Sequence, residues 1–299
     1  MEGLIIKSIS GDYDCLLDDG KVITCKPIGI FRLNSEVPKV GDKCIIENNS
    51  IVKLKERKND LVRPFVCNVD KAFIITSIVE PTLNLNLLDR LIANIEYNNI
   101  EAILIFSKVD LVNNLNDYNY IFDYYKKIGY KVYFLPNEKD LIKEEIKNCI
   151  SVLVGQSGVG KSTMLNLFAN LNLKTDEISK ALGRGKHTTR HVELLNVCGG
   201  YVADTPGFGS IDLEMDEVSL SHNFRDFFNI KCKYNGCIHI NEPGCNVIKA
   251  VEDGMILKSR YENYLSLVKE TRDKREKGYK EKAFQTKGYH SKKSNEKGK

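Results

Sequence analysis

Long apolar runs are missing from this sequence of 299 residues. No stretch approaches the roughly 18 consecutive apolar side chains that a membrane-spanning helix needs. Residues Met1-Glu2-Gly3 lead straight into a strand-like segment, without the basic region and apolar core of a secretory signal. We therefore expect neither a membrane span nor a secretory signal.

Histidine is also scarce, with five residues, whereas cysteine is more frequent, with nine. Six of the cysteines lie singly within apolar stretches: Cys15, Cys25, Cys44, Cys67, Cys149 and Cys198. An odd number of scattered cysteines is typical of reduced, buried thiols and argues against a disulfide framework.

The charge is almost balanced, at +4 overall, but it is distributed unevenly. Residues 271–299 hold eleven Lys or Arg against four Asp or Glu, interleaved with Tyr279, Phe284 and Tyr289. This composition is typical of an arm that becomes ordered on polyanionic RNA. A tail that only increases solubility explains the composition equally well.

One glycine-rich stretch indicates binding of a nucleoside triphosphate. It consists of Gly155, Gln156, Ser157, Gly158, Val159, Gly160, Lys161, Ser162 and Thr163. It lies between a strand-like run and a helical pattern, which is the context of a phosphate-binding loop rather than of a chance glycine-rich turn. In such loops the backbone N–H groups cradle phosphates, the lysine reaches the β- and γ-phosphates, and the following hydroxyl ligates Mg²⁺.

A second motif follows the apolar run 102–106: Ser107, Lys108, Val109 and Asp110. It resembles the Asn-Lys-x-Asp motif with which GTPases recognise the base. Asp110 would accept hydrogen bonds from N1–H and the 2-amino group of guanine, neither of which adenine offers, and the Lys108 stem would lie over the base. Ser107 replaces the usual Asn, so we expect guanine preference with somewhat reduced affinity.

The order of these motifs predicts a circular permutation, because the base motif ends 45 residues before Gly155 instead of following it. Further candidates come after the loop. Thr188 or Thr189 could complete the Mg²⁺ shell, and Asp204 could hold Mg²⁺ through water while the N–H of Gly207 senses the γ-phosphate. Phe208 stands where many GTPases have a glutamine that orients water, so we expect slow intrinsic hydrolysis, with His187 or a partner positioning the water.

Four potential metal ligands cluster within 14 residues: Cys232, Cys237, His239 and Cys245. Three thiols and one imidazole match a closed tetrahedral zinc site, which is structural because no position stays open. Coincidental buried cysteines are the alternative. We expect one Zn²⁺ per chain, in addition to the Mg²⁺ that accompanies GTP.

The strand and helix patterns predict an α/β fold with three modules and a tail. Five short strands separated by turns predict an OB-fold β-barrel for residues 1–62, which binds nucleic acid or serves as structural support. Buried strands alternating with helices predict a permuted P-loop GTPase domain for residues 63–218. A helical zinc-binding domain at 219–270 and a basic tail at 271–299 follow.

Together these motifs resemble the RsgA family of circularly permuted GTPases, which act in small ribosomal subunit biogenesis. The resemblance rests on Arg57-Lys58-Asn59, on Arg63-Pro64, on residues 155–163, 183–189 and 204–207, and on the Cys/His cluster. A departure lies at Leu135-Pro136-Asn137, where the family has a Ser-Ala-type loop that touches guanine.

The resemblance implies a cytoplasmic GTPase that binds GTP and GDP and contacts the rRNA of the small ribosomal subunit. That particle stimulates its turnover, and the protein assists the late maturation of the particle. We expect a monomer. Two alternatives remain: a nucleotide-gated binder of mRNA or tRNA whose hydrolysis is incidental, and a metabolic P-loop kinase. Asp110 and the absence of an acceptor-substrate motif disfavour the kinase.

Overall fold

A computed structural model describes residues 1–33, 36–62, 64–169, 192–204, 213 and 215–295. The chain divides into two compact units, Met1–Ile211 and Asp212–Lys299. Among the described residues, none of the helices combines the length and apolar character needed to span a bilayer.

The first five strands close into a barrel, as the turn spacing predicts. They are β1 (Glu2–Ile9), β2 (Asp12–Leu17), β3 (Val22–Pro27), β4 (Lys43–Glu47) and β5 (Ser50–Leu54), with a short helix α1 (Ile30–Leu33) before β4. Strand β1 pairs with both β2 and β4, and β3 pairs with β5, so the ring runs β1-β2-β3-β5-β4-β1. Alternate side chains such as Tyr13 and Cys15 point inward because the strand period is two.

A buried carboxylate just before β4 connects the barrel to the linker that follows β5. Asp42 is fully buried and accepts hydrogen bonds from Nε and Nη2 of Arg57, each at 2.7 Å. It also accepts from the backbone N–H of Lys39 at 2.7 Å and from the Cys67 thiol at 3.1 Å. These hydrogen bonds hold the chain where it leaves the barrel. They give a structural role to Arg57, one of the residues on which the family resemblance rests.

The remaining strands of the first unit form a mostly parallel sheet. They are β6 (Lys71–Ser77), β7 (Glu101–Ser107), β8 (Lys131–Phe134), β9 (Ile150–Val154), β10 (Val192–Val197) and β11 (Gly200–Asp204). The order is β10-β11-β9-β6-β7-β8, and β10 is antiparallel to β11 whereas the others run parallel. Strand β9 therefore lies inside the sheet between β11 and β6, and β7 lies on the far side of β6; both β6 and β7 precede β9 in the chain.

Helices cover the two faces of this sheet, as near-continuous apolar strands require. They are α2 (Leu85–Tyr97), α3 (Asn119–Lys127), α4 (Lys139–Ile146) and α5 (Lys161–Ala169), with 3-10 turns at Val109–Leu111 and Leu115–Tyr118. Along β6, Phe73 packs in the cluster that includes Ile142 and Phe168, whereas Ile74 packs in the cluster that includes Leu88 and Phe122. Successive side chains of β6 therefore pack on opposite faces of the sheet.

The second unit contains α6 (Glu217–His222), a 3-10 turn (Arg225–Phe227), α7 (Asn246–Glu252) and α8 (Lys258–Asn295). The guanidinium Nε of Arg260 donates to both oxygens of Asp226, at 3.0 and 2.8 Å, and both side chains are almost fully buried. Tyr264 stacks edge-on against Phe224 and Phe227. The basic segment beyond residue 270 continues α8 as helix to Asn295.

The scattered cysteines are free, as expected, but they are not all buried. Cys15, Cys25, Cys44 and Cys67 are buried, whereas Cys149 and Cys198 are partly exposed. Cys149 lies just before β9 and Cys198 lies in the turn between β10 and β11, where the edge of the sheet meets solvent. The expectation of six buried thiols is thus wrong for these two.

Replacing Glu145 by alanine should lower the free energy of unfolding by about 2–3 kcal/mol at pH 7. Its carboxylate accepts from Nζ of Lys71 at 2.7 Å, from Nζ of Lys131 at 2.9 Å and from the Tyr133 hydroxyl at 2.9 Å. Although burial opposes ionisation, these donors lower the pKa of Glu145 from 4.5 to about 2. Because the folded-state pKa is depressed, the stabilisation is present above pH 4.5 and is lost as the pH falls towards 2.

Urea unfolding of the two proteins between pH 7 and pH 2 measures this difference, which should shrink across the acid range. Glu144→Ala is the matched control, since Glu144 forms an exposed ion pair with Lys147 at 2.7 Å. It should change stability by less than about 0.5 kcal/mol. Equal effects of the two substitutions, or a pH-independent difference, would contradict the prediction.

Candidate nucleotide site and metal centre

The glycine-rich loop leaves the end of β9 at the carboxyl edge of the parallel strands, and α5 begins at Lys161. Gly155 has φ +149°, and a Cβ there would lie 2.2 Å from the carbonyl oxygen of Ile75 on β6. Only glycine fits so close to that backbone. Val159 is buried in the cluster with Phe73, so one side chain anchors the loop while Gln156 and Ser157 stay exposed.

Lys161 folds back over this loop. Its ammonium donates to the carbonyl oxygens of Gly155 at 2.6 Å and of Gln156 at 2.7 Å. These bonds hold the positive charge at the loop instead of in solvent. Ser162 and Thr163 occupy the first turn of α5, next to the helix N-terminus that attracts anions.

The base motif begins at the last residue of β7 and approaches the phosphate-binding loop. The buried Ser107 hydroxyl donates to the carbonyl oxygen of Val159 at 2.6 Å, and it lies 3.3 Å from that of Thr76. Ser107 therefore ties the base motif to the glycine-rich loop. A hydroxyl has a single proton, so the tie to Val159 occupies its donor.

Lys108 and Asp110 extend from this anchored end. Lys108 has left-handed backbone angles (φ 58°), and its ammonium donates to the carbonyl oxygen of Glu80 in the β6–α2 loop. Val109 is buried, whereas the Asp110 carboxylate is exposed. The Asp110 carboxylate therefore faces outward, where a ligand can reach it.

A pocket of about 230 Å³ lies between these loops. Its lining consists of Ser107, Lys108, Asp110, Leu135, Pro136, Val159, Gly160, Thr163, Met164 and Leu167. Leu135 donates its N–H to the carbonyl oxygen of Phe106 at 2.9 Å, and Pro136 has no N–H. The pocket thus joins the base motif and the phosphate-binding loop, and its apolar walls suit a planar base.

Four ligand atoms of the Cys/His cluster lie within 4.8 Å of one another. The Sγ atoms of Cys232 and Cys237 are each 3.7 Å from that of Cys245, and Nδ1 of His239 lies 3.5, 3.3 and 3.4 Å from Sγ of Cys232, Cys237 and Cys245. Tetrahedral zinc gives edges of about 3.8 Å between sulfur atoms and about 3.5 Å between sulfur and nitrogen. The cluster therefore fits zinc.

The surrounding loop holds the ligands in place. The Glu242 carboxylate accepts from the backbone N–H groups of Ile238 at 2.8 Å, Ile240 at 2.7 Å and Asn241 at 3.1 Å. The Tyr261 hydroxyl donates to the carbonyl oxygen of His239 at 2.8 Å. Such support of the ligating loop is typical of structural metal centres.

Burial raises the pKa of the Cys237 thiol to about 12, raises the pKa of Cys245, and lowers the pKa of the His239 imidazole. Neighbouring thiols add to the effect at Cys237. Ionising several thiols in such a cluster is costly without a cation. A divalent cation offsets that cost, because thiolates are its ligands.

Other candidates from the sequence lie outside the described residues: His187, Thr188, Thr189 and Gly207. Asp204 is the last residue of β11, with its backbone opposite Glu193 of β10, and its side chain is not described. The roles assigned to these residues stay predictions.

Sequence reasoning missed Glu80 and Glu242, which act through backbone contacts. Every residue has a backbone carbonyl, so the residue type at Glu80 does not indicate that its carbonyl accepts a hydrogen bond. Glu242 carried a signal, since an acidic residue just before Pro243-Gly244 and between two ligands can accept the N–H groups of a tight turn.

Replacing Ser107 by alanine should weaken GDP binding about five- to tenfold, because the base motif loses its tie to Val159, whose carbonyl loses a donor. Equilibrium titration with fluorescent GDP measures this effect. Ser151→Ala is the matched control, since its buried hydroxyl donates to the carbonyl oxygen of Tyr201 at 3.1 Å, away from the pocket. Unchanged GDP affinity in Ser107→Ala, or an equal loss in the control, would contradict the assignment.

A phosphate-binding loop on the central strand, joined to a base pocket on strands that precede it in the chain, defines a circularly permuted GTPase. Sequence models confirm this class: RsgA GTPase matches residues 53–214, and RsgA N-terminal domain matches residues 2–51. The chain belongs to the RsgA family of GTPases. A model described as 50S ribosome-binding GTPase also matches, over residues 150–281.

Relatives and solved structures agree with this assignment. The protein is 43% identical to the small ribosomal subunit biogenesis GTPase RsgA of Bacillus subtilis (strain 168), over 92% of this chain and 98% of the relative. It is also 43% identical to the RsgA of Clostridium perfringens, over 92% of this chain and 99% of that relative.

Among solved structures, YloQ, a circularly permuted GTPase, is 37% identical, with a TM-score of 0.75 over 91% of this chain and 95% of YloQ. YjeQ from Thermotoga maritima is 30% identical, with a TM-score of 0.78 over 90% and 98%. The predicted fold class is therefore confirmed, including the OB-like barrel and the permuted GTPase sheet.

Proposed function

We propose that this protein is a GTPase of the cytoplasm that binds the small ribosomal subunit and assists its late maturation. It hydrolyses GTP to GDP and phosphate, and the ribosomal particle stimulates the reaction. The observation that carries the proposal is the pocket that joins Asp110 to the Gly155–Thr163 loop in a chain 43% identical to small ribosomal subunit biogenesis GTPases.

Each part of the nucleotide meets a different group. Asp110 accepts the donors of guanine, Lys108 covers the base, and Ser107 with Val109 holds their loop. Residues 155–163 surround the phosphates, with Lys161 at the β- and γ-phosphates. Ser162, Thr188 or Thr189, and Asp204 hold Mg²⁺, which neutralises charge on the phosphate oxygens when it is bound with GTP.

The residue that positions the attacking water is not a glutamine, since the sequence has Phe208 after Gly207. An aromatic ring cannot orient water, so intrinsic hydrolysis is slow. Either His187 or a group of the ribosomal partner supplies this function. Unchanged particle-stimulated turnover in His187→Ala would assign it to the partner.

The modules provide separate contacts. We propose an RNA-binding barrel at residues 1–62, a GTPase domain at 63–218, a zinc-binding domain at 219–270 and a basic tail at 271–299. Cys232, Cys237, His239 and Cys245 hold one structural Zn²⁺. The protein acts as a monomer on rRNA, and several linked contacts give combined affinity beyond that of each alone.

GTP hydrolysis tests the function when it is measured with the protein alone, with small subunits, with large subunits and with free RNA. We expect small subunits to raise the rate at least about tenfold. The large-subunit arm is needed because the 50S ribosome-binding GTPase model matches residues 150–281. Equal stimulation by large subunits or by free RNA would defeat the proposal.

A further inference from the structure

Strand β1 pairs with strands of both the barrel and the GTPase domain. Its first residues close the barrel against β4, with Gly3 opposite Cys44 and Leu4 opposite Lys43. Its last residues pair instead with the GTPase sheet, with Lys7 opposite Glu193 and Ser8 opposite Val192 of β10. The register of β1 with β2 shifts between Ile5 and Lys7, and such irregularities bend a strand towards a new partner.

This junction lies in line with the candidate Mg²⁺ residue. Lys7 of β1 is opposite Glu193 of β10, and Glu193 is in turn opposite Asp204, the last residue of β11. Strands lie about 4.8 Å apart, so the backbones of Lys7 and Asp204 are separated by about 10 Å. Because β10 is antiparallel to β11, its first residues share the sheet edge at which β11 ends.

A side-chain contact reinforces the pairing. The Lys7 ammonium lies 2.9 Å from a Glu193 carboxylate oxygen, and the two side chains are 31% and 40% exposed. Exposed ion pairs contribute little to stability. The β1–β10 pairing thus adds one solvent-accessible ion pair and a short ladder to the contacts that Cys67 and Asn68 make with the barrel at Asp42 and Gly41.

The flanking pairings are longer. Within the part of the chain that the structure describes, the β1–β10 ladder has two residue pairs, compared with six between β1 and β2 and five between β10 and β11. Opening or shifting the short ladder therefore disrupts fewer hydrogen bonds than opening either neighbour. A weak pairing between two well-formed sheets is a suitable element for a two-state change.

We propose that the β1–β10 junction, with the Lys7–Glu193 ion pair across it, transmits displacement of the barrel to the GTPase sheet and so couples the barrel to stimulated GTP hydrolysis. A partner that displaces the barrel shifts β10 and, through it, the end of β11. By reciprocity, the nucleotide state changes the affinity of the barrel for that partner. The inference rests on the proposed function, since it requires a partner on the barrel and a nucleotide at residues 155–163.

Charge reversal tests the junction in the full chain, using Lys7→Glu, Glu193→Lys and the double variant K7E/E193K. Each single variant places like charges opposite each other, so stimulation of GTP hydrolysis by small subunits should fall at least about fivefold. Intrinsic hydrolysis and GDP affinity should stay within about twofold, because neither residue lines the pocket. The double variant restores opposite charges and should recover stimulation.

Lys21→Glu is the matched control, since Lys21 is a barrel lysine whose partner, Asp19 at 3.0 Å, is local. Stimulation should be retained in this variant. Full stimulation in the single variants would overturn the proposal, as would a double variant as defective as the singles. A loss in Lys21→Glu equal to that in Lys7→Glu would also overturn it, because barrel charge alone would then explain the effect.

Hydrogen exchange provides a readout that needs no ribosome. Amides of Lys7, Ser8 and Glu193 should exchange at rates that differ at least about fivefold between the GDP form and a form with a non-hydrolysable GTP analogue. Amides within the β2–β3 ladder should not change. Identical exchange at the junction in the two forms would overturn the coupling, whereas failure to bind either nucleotide would defeat the proposed function itself.

Discussion

Asp110→Asn should reverse the base preference from guanine to xanthine, weakening GDP binding about 100-fold. The Asp110 carboxylate is exposed at the base pocket, where it can accept from N1–H and the 2-amino group of guanine. An amide offers one acceptor and one donor, so one guanine donor loses its partner. Xanthine has a carbonyl in place of the 2-amino group, and the amide can donate to it.

Competition between GDP and XDP for the two proteins measures this reversal. Asp140→Asn is the control, because Asp140 is an exposed carboxylate that pairs with Lys143 at 3.0 Å on α4, away from the pocket. It should keep the preference for GDP. Parallel losses of GDP and XDP affinity in Asp110→Asn would show that Asp110 supports the loop without reading the base.

Removing zinc should unfold the loop that contains Cys232, Cys237, His239 and Cys245. Binding of structural zinc contributes about 10–16 kcal/mol in small zinc domains, so the loop has no comparable replacement. Five of the six distances between ligand atoms are 3.3–3.7 Å, which matches tetrahedral coordination, and all six lie within 4.8 Å. We expect one zinc per chain, and a chelator should abolish the cooperative thermal transition of the second unit.

Cys237→Ser should reproduce the effect of the chelator, because a hydroxyl is a poor zinc ligand compared with a thiolate. Cys149→Ser is the control: the Cys149 thiol donates to the carbonyl oxygens of Glu145 at 3.4 Å and Ile146 at 3.1 Å, and serine can make the same bonds. Zinc content should be unchanged in that variant. A metal-free preparation with a folded second unit would refute the assignment.

Sequence patterns predicted the elements whose chemistry is local. The Gly155 loop is recognisable because close backbone approach needs glycine: a Cβ would meet the Ile75 carbonyl oxygen at 2.2 Å. The strands around it are recognisable because burial on both faces gives continuous apolar runs. The helix after the loop is recognisable from its apolar residues, which start at Met164, although α5 itself begins at Lys161.

Hydrogen bonds between segments that are far apart in the chain were harder to predict from the sequence. No residue type predicts that the Lys108 ammonium donates to the Glu80 carbonyl oxygen, or that the Ser107 hydroxyl donates to that of Val159. Backbone groups are the same in every residue, and their partners are chosen by the assembled sheet. The permutation itself was predictable, however, because the order of two motifs along the chain is a property of the sequence.

By itself, then, the sequence determined the chemistry of this protein: a phosphate-binding loop, a carboxylate that can read guanine, and three thiols with an imidazole. Each depends on residue types at short spacing. Only the tertiary structure decided that β1, while still paired with β2 in the barrel, also pairs with β10, in register with Asp204. Such pairing is set by long-range hydrogen bonds between backbones, which carry no side-chain signature.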